Sequence, residues 1–265
     1  MRLINTKTLK LEEFFGGQTP KYAILSHRWG DEEISLEQYQ NGEYDPQQEG
    51  YRKFEGFCSQ VNKSSVDSIS YGWYDSFCID KRNNTELSES LNSMFKWYQD
   101  ADACYVHLSD LRESLWLTRG WTLQELVAAR NVLFFSKTWE PLGSKSTLVD
   151  ILSTITKIPP EYLLGRLPLS HASIAQRMSW ASRRATTCEE DIAYSLLGIF
   201  KVNMPLIYGE GSKAFIRLQE EITKQSNDDS ILAWGLFARH PSFFANCGPL
   251  HQHTAQRHMH FHGKG

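Results

Sequence analysis

The chain has 265 residues, of which 41% are hydrophobic and 22% are charged, as expected of a globular protein with one or two cores. A formal net charge of -3 gives no electrostatic reason to expect nucleic acid or an anionic membrane as a partner. Five cysteines without a C-x-x-C pair predict reduced thiols in a cytoplasmic protein, and no apolar run approaches the roughly 20 residues of a membrane helix.

The first half of the chain alternates β-type runs with helical patterns. After a lead-in over 1–20, the apolar run Tyr22 to Ser26 predicts a buried strand, and the polar residues 37–50 predict a loop. The remaining predicted strands and helices are strands at 70–79, 103–108 and 131–136 and helices near 51–63, 85–100 and 121–130. Strands that alternate with helices predict an α/β fold with a parallel sheet and right-handed crossovers.

The second half is predicted to be mainly helical. Apolar residues at helical spacing predict helices near 148–155, 174–181, 189–197 and 212–222, and a strand or extended segment at 231–237. We therefore expect an α/β core at 1–140, a helical extension packed on it at 141–226, and a C-terminal segment at 227–265.

Five histidines crowd the last fifteen residues: His251, His253, His258, His260 and His262. Histidines at alternate positions can chelate a metal, and a frayed tail can equally carry them without a role. No cysteine or carboxylate cluster completes a site, so no metal is predicted.

Polar and aromatic side chains follow the predicted strands at the edge where parallel sheets bind ligands. His27, Arg28 and Trp29 follow the first strand, Asp75 lies within the second, and Asp80 comes just after it. A carboxylate inside a strand is costly to bury unless it is paired or used. The alternative for the 27–31 segment is a capped loop with a tryptophan packed over the strand.

One further carboxylate lies in the helix before the fourth strand. Trp121 begins that helix and Glu125 follows one turn later. A histidine or arginine with carboxylates and an aromatic wall is suited to a sugar-phosphate ligand. An arbitrary helical glutamate is more often a solvated surface residue, and the residues alone leave that alternative open.

The standard nucleotide and hydrolase motifs are missing from the sequence. There is no P-loop, no G-x-G-x-x-G after a strand, no G-x-S-x-G and no H-E-x-x-H. The turn at 209–213, GEGSK, begins a helix and could hold a phosphate, although a plain helix-start turn is the more common meaning of such a segment.

Four blocks of the chain carry a family resemblance. They read YAILSHRWGDEE (22–33), YDSFCIDKRNNTELSESLNSMFKWYQDADACYVHLSD (74–110), RGWTLQELVAARNVLFF (119–135) and SWASRRATTCEEDIAYSLLGIFKVNMPLIYGEGSKAFIRLQEEI (179–222). In this order the chain resembles the HET domain, named for heterokaryon incompatibility in filamentous fungi. Lys81 stands where the family often has Gln, and Cys188 where it usually has Arg, which weakens any role for position 188.

The resemblance implies a TIR-like (flavodoxin-like) parallel sheet flanked by helices, because HET domains are regarded as distant relatives of TIR domains. Trp121-x-x-x-Glu125 is similar to the TIR segment whose glutamate cleaves NAD+, so Glu125 is the implied catalytic residue. His27, Arg28, Trp29, Asp75, Asp80 and Trp121 are the implied substrate-binding residues.

The implied function is a cell-death effector that hydrolyses NAD+ as substrate, needs no cofactor, acts as a homo-oligomer and answers to an NLR-type or other incompatibility regulator. The alternatives are a non-enzymatic TIR-like signalling and oligomerisation module, in which Glu125 is structural, and an unrelated nucleotide-handling activity.

Overall fold

A seven-stranded sheet organises the computed structural model, which describes residues 1–64, 69–108, 115–232 and 237–247. The strands are β1 (Arg2–Asn5), β2 (Leu11–Glu13), β3 (Tyr22–His27), β4 (Tyr71–Trp73), β5 (Ala103–His107), β6 (Val132–Phe135) and β7 (Pro141–Ser144). Their order across the sheet is β2-β1-β4-β3-β5-β6-β7. The four central strands run parallel, whereas β1 pairs antiparallel with β2 and β4, and β7 pairs antiparallel with β6. The predicted α/β class is confirmed, with antiparallel strands added at both edges.

Helices connect the strands and make up most of the second half. The α-helices are α1 (Leu36–Asn41), α2 (Glu49–Lys63), α3 (Asp75–Cys78), α4 (Asn84–Asp100), α5 (Trp121–Ala128), α6 (Val149–Thr156), α7 (Pro160–Leu163), α8 (Ile174–Ser179), α9 (Asp191–Tyr194), α10 (Leu197–Phe200) and α11 (Lys213–Gln225). Short 3-10 turns are Leu115–Thr118, Leu169–His171, Asp229–Leu232 and Pro241–Phe244.

Helices cover both faces of the sheet. The Tyr22 hydroxyl of β3 donates to the Trp97 carbonyl of α4 at 2.6 Å, which places α4 on one face. Phe57 of α2 packs on Tyr105 of β5 with ring centroids 5.7 Å apart, which places α2 on the other. Successive side chains of a strand point to opposite faces of the sheet. Ser26 is four residues after Tyr22 and therefore points to the α4 layer, whereas His27 points to the α2 layer.

The chain deviates from its predicted elements where an element is very short. Residues 1–20 are not a lead-in, because β1 and β2 extend the sheet there with only four and three residues. The predicted strand at 70–79 ends at Trp73, and Asp75 begins α3 instead of lying within the strand. The predicted loop at 37–50 contains α1, which begins with a capping box between Ser35 and Gln38.

The observed elements of the second half also differ in detail from the predicted helices and strand. The helix predicted over 189–197 is interrupted, with α9 ending at Tyr194 and α10 beginning at Leu197. Of the strand predicted over 231–237, the described residues at its start belong to a 3-10 turn, and 233–236 lie outside the described residues. The five C-terminal histidines, for which no metal is predicted, also lie outside the described residues.

All five cysteines are free, and Cys58, Cys78 and Cys104 are buried, as predicted for reduced thiols. Within the described ranges, no helix combines the length and the apolar character needed to cross a bilayer.

Candidate functional site

The order of the parallel strands creates a switch point in the sheet. The chain forms β3 first, places β4 on one side of it, and then crosses to place β5 and β6 on the other. In open α/β sheets ligands bind outside the carboxyl ends of the strands where the order reverses. Here that point lies between the ends of β3 and β5, where Ser26 is paired with Val106 and His27 with His107.

Glu125 reaches this point from α5. Its carboxylate accepts a hydrogen bond from the Ser26 hydroxyl, and that hydroxyl accepts one from the Trp116 indole N–H at 2.7 Å. The residue is only 7% exposed. Glu125 is therefore an interior carboxylate at the end of a parallel strand, not the solvated helical glutamate that its sequence alone allowed.

The surroundings of Glu125 favour its neutral form. Burial raises the pKa of Glu125 to about 7, and the negative charge of Asp75 adds to the rise. Hydrogen bonding from Ser26 and Tyr98 and the charge of Arg119 act in the opposite direction. Near neutral pH this carboxyl group therefore exists in both protonation states, a property that is common at functional sites.

Buried cations hold both ends of α5. The Lys145 ammonium donates to the Leu126 carbonyl at 3.1 Å and to the Ala129 carbonyl at the C-terminal end, where a positive charge complements the helix dipole. The Arg184 guanidinium donates to the Arg119 carbonyl at 2.7 Å just before the helix. The position of Glu125 therefore depends on contacts from outside the sheet.

A second polar cluster forms around His27 on the opposite face of the sheet. His27 Nε2 lies 3.5 Å from Glu33 Oε1, and His27 Nδ1 lies 3.9 Å from Asp75 Oδ1. Burial alone would raise the pKa of Glu33, but His27 and Lys53 hold it well below its usual range. The Tyr74 hydroxyl donates to the same carboxylate. This cluster is a network of buried polar and charged side chains.

Trp29 and Asp75 form the outer wall of that cluster. The Trp29 indole N–H donates to Asp75 Oδ2 at 2.8 Å, and the Lys81 ammonium lies 3.2 Å from the centroid of the Trp29 ring. A cavity of about 140 Å³ adjoins these residues, and Asp80 lines it together with Trp29 and Lys81. Asp80 also accepts from the Arg82 backbone N–H at 3.0 Å, so it shapes the turn after α3.

The structure brings together some of the predicted site residues and separates others. His27, Trp29 and Asp75 lie in one cluster, and the charge of Asp75 also acts on Glu125. Arg28 is exposed, and its guanidinium makes no hydrogen bond or ion pair with any described residue. Trp121 lies near Asp191 of α9, where it opposes the rise in the pKa of Asp191 that burial causes, and so faces the helical half.

A more spacious groove lies elsewhere on the described part of the chain. It encloses about 1390 Å³ at the amino end of β3 and is lined there by Lys21, Tyr22, Trp97 and Asp102. Glu125 lines neither this groove nor the 140 Å³ cavity. We locate the candidate site by strand topology and buried polar chemistry, because the size of a surface groove does not identify its chemistry.

The glycine-rich turn at 209–213 is filled from within the chain. The Glu190 carboxylate accepts from the backbone N–H of Gly209 at 2.7 Å and of Gly211 at 2.9 Å. An internal carboxylate thus occupies the position that a phosphate would take, which favours the interpretation of this turn as a helix start.

Several residues of the site were not predicted. Ser26 contacts Glu125, and Glu33 contacts Lys53, each through a pairing that local sequence does not signal. Ser26 and Glu33 both belong to the YAILSHRWGDEE block, so the resemblance could have nominated them. Lys53 occupies a helical position with no local signal for a buried charge.

Two segments of the chain match known protein families. Residues 22–114 match the family described as heterokaryon incompatibility protein (HET), and residues 213–263 match a domain of unknown function (DUF8212). Over 237 residues the chain is 45% identical to the vegetative incompatibility protein HET-E-1 of Podospora anserina. That alignment covers 82% of this chain but only 17% of HET-E-1, so the chain spans a small part of its relative's length. No solved structure matches the chain significantly.

Proposed function

The chain belongs to the heterokaryon incompatibility (HET) family, and on that premise we propose that it acts in vegetative incompatibility as a cell-death effector that cleaves NAD+. The observation that carries the proposal is the position of Glu125, a buried carboxylate hydrogen-bonded to Ser26 at the switch point of the sheet. Glu125 is the proposed catalytic residue.

A TIR-like fold is part of the proposal. The four parallel strands lie in the order second, first, third, fourth, which is the order that begins the flavodoxin-like arrangement. Trp121 and Glu125 keep the W-x-x-x-E spacing on the helix that leads into the last parallel strand. These features support a relationship to TIR domains.

The reaction needs only one carboxylate. The nicotinamide of NAD+ is a cationic pyridinium that leaves as a neutral base, so its departure requires no general acid, unlike the leaving group of an O-glycoside. An ionised Glu125 stabilises the positive charge that develops on the ribose. Water then adds to the ribose carbon and loses a proton, which gives nicotinamide, ADP-ribose and H+.

Self-association is the proposed activating step. Glu125 is enclosed by Ser26 and neighbouring side chains, so a dinucleotide reaches it only after the surrounding loops move. Contact between copies of the chain, brought about by an NLR-type or other incompatibility regulator, would supply that rearrangement. The enclosed arrangement then represents the resting state.

The same enclosure favours a second candidate function. If the Glu125 carboxylate serves only to join β3 to α5 through Ser26, the domain is a non-enzymatic module that signals by oligomerisation. Glu125 would then be a structural residue, and NAD+ would not be a ligand.

Nicotinamide release by the purified chain separates the two candidates. The protein is incubated with NAD+ at low and high protein concentration, and nicotinamide is quantified. The enzymatic proposal expects release that rises more steeply than protein concentration. Oligomer formation without any nicotinamide release would support the signalling module instead.

A further inference from the structure

A buried arginine lies beside the helix that carries Glu125. Arg184 is 4% exposed, and its Nη1 donates to the Arg119 carbonyl at 2.7 Å and to the Thr122 hydroxyl at 3.0 Å. Its Nη2 is also buried and makes no hydrogen bond to any described residue. A guanidinium with an unused donor in the interior is costly unless a nearby negative charge compensates for it.

The fold places this guanidinium about one helical turn from Glu125. Thr122 and Glu125 are three positions apart on α5, so their side chains lie on the same face, about 4.5 Å apart along the helix axis. The segment that carries Arg184 is fixed against the start of α5, because the Gly120 N–H donates to the Ala185 carbonyl at 2.9 Å. The guanidinium at Thr122 is therefore held on the face that carries Glu125.

Hydrogen bonds connect the arginine and the carboxylate through the 3-10 turn before α5. The Thr122 hydroxyl, which accepts from Arg184, donates to the Trp116 carbonyl at 2.5 Å. The Trp116 indole N–H donates to the Ser26 hydroxyl at 2.7 Å, and that hydroxyl donates to Glu125. Arg184 and Glu125 therefore belong to one buried network.

The charges around Glu125 come from several elements. The charged or titratable side chains that interact with it are, among the described residues, Asp75, Tyr98, Cys104, Arg119 and Arg184. Of the two cations, Arg119 is half-buried and Arg184 is buried, where salt screens a charge least. Burial lowers the pKa of Arg184 to about 9, and the charge of Glu125 opposes that fall, so the guanidinium stays charged near neutral pH. The interaction is reciprocal, and a charged Arg184 therefore favours the ionised form of Glu125.

We propose that Arg184 is a positioning residue whose buried charge, held at Thr122 about one turn of α5 away, keeps Glu125 ionised for the reaction. The inference rests on the proposed function, because ionised Glu125 is the form that stabilises the positive charge on the ribose. The charge of Asp75 acts in the opposite direction and favours the neutral form. The ionised fraction of Glu125 thus depends on a residue that the helical half contributes.

Carbon-13 NMR of the Glu125 carboxyl group tests the inference without any reaction. The full chain, labelled at glutamate, is titrated from about pH 5 to about pH 9, and the resonance that Glu125→Gln removes identifies the residue. The wild-type midpoint is expected at about 7. Arg184→Gln should raise it by about one unit, because a nearby positive charge is lost. Nicotinamide release should then fall about fivefold near neutral pH and stay unchanged at high pH, where Glu125 is ionised in both proteins.

Two further variants separate charge from packing. Arg184→Lys keeps the positive charge and loses the planar fork, so the midpoint should stay within about 0.3 units of the wild type. Arg177→Gln is the matched control, since Arg177 also donates to a backbone carbonyl, that of Ile199 at 3.1 Å, and also has a buried nitrogen without a hydrogen bond to any described residue. The charge that acts on Arg177 is that of Asp228, so its loss should leave the Glu125 midpoint in place.

Urea denaturation at about pH 5 and about pH 8 gives a second measurement if Arg184→Gln does not fold near neutral pH. Glu125 is protonated at the lower pH, so the loss in the folding equilibrium constant should be about fivefold larger at the higher one. An unmoved midpoint in folded Arg184→Gln, an equal loss of stability at both pH values, or a rise of about one unit in Arg184→Lys or Arg177→Gln would overturn the inference. Cleavage of NAD+ with any of these results refutes only the role of Arg184, whereas a raised midpoint in Arg184→Gln without cleavage by the wild type refutes only the proposed reaction.

Discussion

The hydroxyl of Ser26 donates a hydrogen bond to the carboxylate of Glu125, which lies 99 positions further along the chain. This contact joins the end of β3 to the middle of α5 at the switch point of the sheet. It also links the fold to ionisation, because a donor to the carboxylate stabilises its charged form.

Ser26→Ala should shift the pH dependence of NAD+ cleavage to higher pH. The hydrogen bond from Ser26 opposes the rise in the pKa of Glu125, so its loss should raise that pKa above about 7, by about one unit. The pH profile of nicotinamide release measures the shift. Thr156→Val, which removes a buried hydroxyl from α6, is the control that should leave the profile in place. A profile that stays or moves to lower pH in Ser26→Ala would contradict the assigned contact.

Glu125→Gln should stabilise the protein above neutral pH. Because burial raises the pKa of Glu125 from 4.5 to about 7, the unfolded chain loses this proton first as pH rises. The native state binds more protons between those values, so the free energy of unfolding falls across this window and then levels off. Urea denaturation below and above the window should show a loss of up to about 3 kcal/mol in the wild type that is absent in Glu125→Gln. If the free energy of unfolding of the wild type rose with pH between 4.5 and about 7, Glu125 would not be an interior carboxyl group with a raised pKa.

Gly198→Ala should destabilise the packing of the helical half on the sheet layer. A Cβ at Gly198 would lie 2.0 Å from the Cβ of Phe95, so α10 and α4 must move apart. Such overpacking typically costs about 1–3 kcal/mol, which urea denaturation resolves. Gly30→Ala is the matched control, since a Cβ there meets nothing within 4 Å. Equal stabilities of the two variants would show that this contact is not tight.

Glu190→Ala should destabilise the start of α11. The substitution leaves the backbone N–H groups of Gly209 and Gly211 without their carboxylate acceptor. The expected loss is about 1–3 kcal/mol in the free energy of unfolding. Glu55→Ala, at an exposed position of α2, should change stability little. An unchanged stability for Glu190→Ala would mean that water replaces the carboxylate without cost.

Periodicity was sufficient to predict the central sheet. Tyr22 to Ser26 and the runs that became β5 and β6 are short and apolar, and the helices between them have clear apolar faces, so their type and order were confirmed. The edge strands β1 and β2 carry too few residues for a period to emerge. The early end of β4 also lacked a signal, because Trp73 and Phe77 suit a strand and a buried helix equally.

The candidate site was less predictable than the sheet. Its residue types could be nominated from the end of β3, but the face on which each side chain lies follows from strand alternation and three-dimensional packing. Ser26 and His27 are neighbours in sequence, yet one meets Glu125 and the other meets Glu33 across the sheet. The resemblance assigned His27 and Glu125 to one substrate site, whereas the structure places them in two clusters, with Asp75 next to His27 and its charge acting on Glu125.

The most direct test of the central claim is nicotinamide release from NAD+ by the wild-type chain and by Glu125→Gln at high protein concentration. The glutamine can still accept from Ser26, so the fold should be retained, and circular dichroism and thermal unfolding verify this. Glu55→Gln is the matched control for loss of one carboxylate. We predict release by the wild type and by Glu55→Gln and none by Glu125→Gln. Equal release by a folded Glu125→Gln variant, or no release by the wild type, would contradict the assignment of Glu125 as the catalytic residue.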